Sequence, residues 1–488
     1  MEAMARQEGV EAVFLCAGLA HSLRPGPVRW QRLRHGPAHE AGRRFTLVDS
    51  RPISPSHHSF GDPAQLSHPE TEAAFARFLR AEGPFDIVHF NNLEGLPAAV
   101  LALRAQLPDT RFVVSLHNYY PFCPQVNLWH REDHHCDDFE GGRACTTCLP
   151  FRPDPRQVRL ANAAAHTLDG VGLRPGVAAF DRGVQPAMRV AARAVKGVAA
   201  RRRRARGGPT PTAPVTDAPT TLPQGPPPAA TPAAFAERRA EIVRLINAHA
   251  DRVLAVSART ADIALDFGIR PKSLEVQRIG TSHAGRWTRI APPARLPVRE
   301  DGTLKLAYLG YMRRDKGFYF LLDALEGLPA ALKRRLHVLV AARAREPESP
   351  ARLGAMAADF ASIEHREGYT RADLDDLLAD VDLGVVPVLW EDNLPQVALE
   401  MHARRIPLLT SDRGGARELA PCSALSFPAG DAAAFAQRLG ALVETGLDLT
   451  DYWSCALAPT TPAAHVKALL RLYEGLTSMG RPNRLPKN

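Results

Sequence analysis

The chain has 488 residues, 45% of them hydrophobic, with a formal charge of +9 and seven cysteines. That length exceeds one ordinary hydrophobic core, so two domains are expected. No run of 18 apolar residues occurs, which argues against a membrane-spanning helix, and the opening MEAMARQEGVEAVFL lacks the basic-then-apolar order of a signal peptide.

The odd cysteine count in so large a chain fits a reducing cytosol better than a disulfide framework. A positive balance suits nucleic acid, acidic lipid or phosphorylated ligands. Much of it sits in the single run RRRRAR (201–206), so it says little about the folded parts.

The first half alternates strand and helix signals. EAVFLCAG (11–18) reads as a buried strand and ETEAAFARFLRAEG as an amphipathic helix. FDIVHF (85–90) and RFVVSLHN (111–118) are further strands, with GLPAAVLALRAQL as the helix between them. Strand, helix, strand at this spacing implies βαβ units and a parallel sheet. The strands end in His89, Asn91 and Asn92, then in His117 and Asn118, and such ends are where α/β sheets bind ligands. A hydrogen-bonded core histidine is the plainer reading of either histidine taken singly.

Residues 171–233 break the pattern. From 207 onward the Pro-rich GGPTPTAPVTDAPTTLPQGPPPAATP cannot bury a core and is expected to be disordered. AMRVAARAVKGVAARRRRAR reads as a solvated basic linker or as a basic helix against an acidic membrane surface. A long helix, the strand RVLAVS and another helix follow. A second αβ series then runs through LKLAYLGY (304–311), GFYFLLDALEGL, HVLVAA (337–342), ADLDDLLADV, DLGVVPV (382–388) and IPLLTS (406–411).

The chemistry concentrates in this second series. WEDNLPQVALE (390–400) puts Asp392 in a loop and Glu400 on the helix that Pro395 starts. Free N–H groups at that helix start suit an anion, and two carboxylates suit hydroxyls, as on a sugar joined to a diphosphate. A capping acid plus an unrelated helix glutamate is the alternative. GYMRRDKG (310–317) supplies Arg313, Arg314 and Lys316 at a strand-to-helix turn. SDRGGARE (411–418) offers Gly414 and Gly415 for close backbone approach, and EGYT (367–370) offers Tyr369 as a border for a nucleobase. P-loop and GxGxxG fingerprints are both absent.

LGY-x4-KG-x3-LLDAL, ADVDLGVVPVLWEDNLPQVALE and PLLTSDRGGAREL resemble the sugar-nucleotide domain of family-4-type glycosyltransferases (glycosyl transferases group 1). DIVHFNNLEGL, SLHNYYPFCP and DRVLAVS are similar to the acceptor-side domain of that family. The resemblance implies an α/β chain of the GT-B fold, with two doubly wound Rossmann-like domains facing a cleft. Residues 1–285 would form the acceptor domain, interrupted by 171–233; 286–460 would bind the sugar nucleotide; 461–488 would be a terminal helix and tail.

The resemblance further implies a donor ribose on Glu400, the donor sugar on Asp392 with the backbone of Asn393 and Leu394, the diphosphate on Lys316, and His117 in the active site. The family's arginine directly after the glycine is replaced by Tyr311, and Arg313 or Arg314 would have to stand in for it. Transfer with retention and without an obligatory metal is implied, onto a glycan or lipid-linked acceptor, in a cytoplasmic protein that touches the membrane peripherally and binds no nucleic acid. A non-catalytic GT-B scaffold and a sugar-nucleotide epimerase or hydrolase are the competing readings.

Cys123, Cys136, Cys145 and Cys148, with His130, His134 and His135 among them, suit either a structural zinc or reduced structural thiols. Too few residues precede EAVFLCAG for a strand, a turn and a full helix. The first domain is therefore expected to lack its opening strand, through a start site assigned too late or a truncated gene.

Overall fold

The computed structural model describes residues 2–37, 40–149, 152–187, 230–297, 299–344 and 348–478. RRRRAR and the Pro-rich segment from 207 to 229 lie outside the described residues, as does most of the basic stretch beginning at Ala187. The chain forms two compact bodies. One comprises Met1–Gly83, Leu93–Val100 and Leu149–Ala230; the other comprises Pro84–Asn92, Leu101–Cys148 and Thr231–Asn488.

The first body holds β1 (Phe14–Ala20), β2 (Arg29–Arg32) and β3 (Arg44–Val48), ordered β1-β3-β2. β1 runs parallel to β3, and β2 runs antiparallel to it. The helix Pro69–Glu82 buries Phe75, Phe78 and Leu79. Its helical spacing was plain in the sequence, whereas the short strand RWQR carries no clear alternation.

The second body contains two parallel sheets and a hairpin. β4 (Ile87–Phe90), β5 (Arg111–Leu116), β8 (Arg252–Ala255) and β9 (Leu274–Val276) form the four-stranded sheet β4-β5-β8-β9. The hairpin pairs β6 (Trp129–His130) with β7 (His134–His135). β1 and β4 are edge strands of separate sheets. AAVLALRAQ, expected as an α-helix, forms 3-10 turns over Ala98–Gln106.

The larger sheet uses β11 (Leu304–Tyr311), β12 (Leu336–Arg343), β13 (Ser362–Arg366), β14 (Leu383–Val386), β15 (Leu408–Ser411) and β16 (Ser426–Phe427). Its order is β13-β12-β11-β14-β15-β16, and every pairing is parallel. The small ribbon of β10 (Arg295–Leu296) with β17 (Leu447–Asp448) lies outside it. β11, β12 and β14 are nearly continuous buried runs, as a sheet covered on both faces requires. Leu304, Leu336, Leu383 and Phe435 are fully enclosed in one core, each side chain worth about 1.5–3 kcal/mol of burial. The expected helix ADLDDLLADV shortens to Leu374–Leu377, because four of its ten residues are aspartates on a mostly solvent-facing turn.

Strand order reverses between β11 and β14, so a crevice is expected at their carboxyl ends. Gly317 makes the turn after β11 possible. Its φ is +73°, and a Cβ there would lie 1.7 Å from the Pro387 carbonyl oxygen. Gly317→Ala should therefore cost at least about 1–3 kcal/mol. In urea its midpoint should fall with an unchanged slope; an unaltered midpoint would remove the turn's claim to this glycine.

Candidate active site

The crevice exists. A cavity of about 760 Å³ lies at the carboxyl ends of β11 and β14, lined by Gly310, Tyr311, Lys316, Tyr369, Asp392, Leu394 and Glu400 among others. Two carboxylates eight positions apart thus face one space. Pro395 stands just before the helix Gln396–His402, with extended backbone, rather than within its first turn. That helix is only seven residues long, so side-chain charge matters more here than a macrodipole.

Lys316 supplies that charge. Its Nζ donates to Asp392 Oδ2 at 2.5 Å and lies 4.9 Å from the centre of the Trp390 ring. Asp392 is buried while Lys316 is half-buried, so an ammonium and a carboxylate stand side by side at the cavity wall. Across the cavity the Tyr369 hydroxyl donates to Glu400 Oε2 at 2.6 Å. Burial raises the Glu400 pKa above the usual carboxylate range, against the pull of Tyr369 and Arg404.

Other expected residues take different places. The Arg313 guanidinium forks onto the buried carboxylate of Asp315 with two contacts of 2.8 Å. The Arg314 guanidinium lies 5.5 Å from the Tyr319 ring centre. Neither arginine is among the cavity-lining residues. Gly414 and Gly415 allow a close approach, but of protein backbone: added Cβ atoms would meet Asp392 O at 2.4 Å and Asn393 O at 2.2 Å. Asn393 itself is buried.

His117 follows β5 and also lies away from the cavity lining. The residue is exposed, yet the surrounding protein and then His465 lower its pKa. His89 is held by Ser115 Oγ at 2.7 Å and Tyr473 Oη at 2.5 Å. Burial, then His117 and His465, lower its pKa to about 4, which makes it a neutral, half-buried histidine held by its hydrogen bonds.

Thr281, Ser282, His283, Arg343 and Gln396 also line the cavity, and they were not anticipated. GTSH has no periodicity to single it out, and its position depends on Gly280 passing close to Pro462, where an added Cβ would lie 2.8 Å from the Pro462 Cα. Glu391 was missed too. It is 2% exposed and accepts from Arg259 Nε at 3.0 Å and Nη2 at 2.8 Å, Arg413 Nη1 at 3.2 Å and the Gly414 N–H at 2.8 Å. Burial alone would raise its pKa; these donors, Arg259 foremost, more than offset that and hold it at about 2. An acid directly beside the expected acid was the available signal.

The cysteine loop gives no support to the zinc expectation. Among the described residues no group of three or more His, Cys, Asp or Glu side chains is placed to hold a metal ion. Cys123, Cys136, Cys145 and Cys148 are free thiols, and Cys148 Sγ donates to Gln125 Oε1 at 2.9 Å. Burial, with Cys123 adding to it, pushes Cys136 up to about 11 and Cys145 to about 12, so both are protonated thiols as they stand.

Residues 303–445 match the family of glycosyl transferases group 1. Among curated proteins, none matches the chain. Solved structures similar to it include Anabaena HepE in complex with UDP and glucose, at 19% identity and a TM-score of 0.36, covering 49% of this chain and 66% of that one, just under two thirds. Sucrose-phosphate synthase from Thermosynechococcus elongatus has 13% identity and a TM-score of 0.47, covering 96% and 88% of the two chains. The α,α-trehalose 6-phosphate synthase of Burkholderia multivorans has 12% identity and a TM-score of 0.48, covering 96% and 92%. Among the described residues no helix is long and apolar enough to cross a membrane.

Proposed function

We propose that this chain is a group 1 glycosyltransferase of the GT-B type, moving a hexose from a nucleotide-diphosphate donor to a glycan or lipid-linked acceptor with retention of configuration. One observation carries the reading: Asp392, Lys316 and Glu400 share one cavity at the strand-order switch of a parallel sheet, inside the segment that matches the family. Glu400, oriented by Tyr369, takes the ribose hydroxyls. Asp392 takes sugar hydroxyls, and Lys316 takes the diphosphate, whose negative charge grows as the glycosidic bond breaks. The two charges already stand together, so little reorganisation accompanies that step. Acceptor binding by the elements around His117, synthesis of surface polysaccharide or glycolipid, and a cytoplasmic location with peripheral membrane contact belong to the same proposal.

The test is a thermal-shift panel of UDP, GDP, ADP and their hexose conjugates. A true donor nucleotide at 100 times its Kd stabilises the chain by about 2.7 kcal/mol. The stabilising conjugate is then incubated with candidate acceptors. A new glycoside supports the proposal, an epimerised sugar nucleotide supports the epimerase reading, and no response to any nucleotide overturns both.

A further inference from the structure

A second cavity, of about 310 Å³, is lined by Ser282, His283, Gly285, Arg286, Arg289, Arg371 and Arg404. Ser282, His283 and Arg371 also line the larger cavity. Four guanidinium groups therefore surround a space the size of a small molecule. The carboxylates against them are few. Arg286 and Arg404 both bind Asp375, with Arg404 Nη2 at 2.6 Å from Oδ1. Glu400 Oε1 lies 3.9 Å from His283 Nε2, and Arg404 Nη1 donates to the Glu400 carbonyl oxygen at 2.9 Å.

Arg289 and Arg371 are exposed, and no side-chain hydrogen bond or ion pair engages either among the described residues. Four cations around one small cavity repel one another, and Asp375 and Glu400 offer only two negative charges against them. Asp375 fixes Arg286 and Arg404 in place. Arg289 and Arg371 keep their donor forks for something else, and a guanidinium fork matches phosphate oxygens in pairs.

We propose that this cavity is a second anion site, taking the phosphate or diphosphate group of a phosphorylated small molecule separately from the group held at Lys316. Because Ser282, His283 and Arg371 border both cavities, its occupant touches whatever fills the larger one. The assignment rests on these residues and does not require the donor reading.

Calorimetric titration of the full chain with inorganic pyrophosphate tests it, using Lys316→Ala and the double variant Arg289→Ser/Arg371→Ser. Both arginines are exposed, so the double variant should melt like the parent, and a melting curve checks this. Pyrophosphate should bind the parent, and the double variant should lose one site or weaken it by about tenfold or more. Lys316→Ala should keep that site. If the donor reading alone fails, Lys316→Ala leaves the stoichiometry unchanged while the double variant still loses a site. Parent-like binding by the double variant, or loss confined to Lys316→Ala, overturns the proposal. So does binding to phosphatidylglycerol vesicles that needs both arginines, with none to pyrophosphate.

Discussion

Glu391→Ala should lower the unfolding free energy by about 3 kcal/mol, the low end for breaking a buried ion pair. The carboxylate is enclosed, and its loss leaves the buried Gly414 N–H without an acceptor. Arg259 and Arg413 are 28% and 32% exposed and can turn partly to water, which keeps the cost from reaching the top of the range. The pH dependence gives an independent check. A carboxyl held at about 2 in the fold contributes stability that is complete above its unfolded value and is lost as pH falls toward 2. The parent should therefore lose stability between about pH 4.5 and 2 more steeply than Glu391→Ala. Denaturant unfolding at pH 7 and pH 3 measures both effects, and equal stabilities at the two pH values would refute the role.

Glu400→Ala should weaken the nucleotide that stabilises the parent by about 10- to 150-fold, the loss of a charged hydrogen-bond acceptor worth roughly 1.5–3 kcal/mol. Asp392→Ala should reduce turnover more than affinity, because its partners would be sugar hydroxyls and Lys316 rather than the nucleoside. Titration with the bare nucleoside diphosphate separates the two. An unchanged Kd for Glu400→Ala would remove the ribose assignment. Tyr369→Phe provides a graded control: it deletes the 2.6 Å hydrogen bond to Glu400 while leaving the ring.

Much of the larger sheet was legible because its signals are local. LKLAYLGY, HVLVAA and DLGVVPV are short apolar runs, and a sheet covered on both faces needs no alternation. Asp392 and Glu400 were legible for the same reason: one loop and one short helix carry both. SIEHR was not, since a strand with polar residues on both faces reads as loop until β12 pairs with it.

Sequence by itself determined that this chain builds parallel α/β sheets and that an acid pair follows a buried strand, because periodicity and turn chemistry act over a few residues. Tertiary structure alone decided which groups share a space. Arg313 stands beside Lys316 in the sequence, yet Asp315 two positions away forks it into an internal ion pair. Gly414 and Gly415 read as room for a ligand, and the backbone of residues 392 and 393 fills that room. Arg286, Arg289, Arg371 and Arg404 are separated by up to 118 positions and carry no common pattern. They meet because the segment after β9, the loop after β13 and the helix after β14 end at one side of the same body, and long-range strand pairing, which no local window contains, puts those ends together.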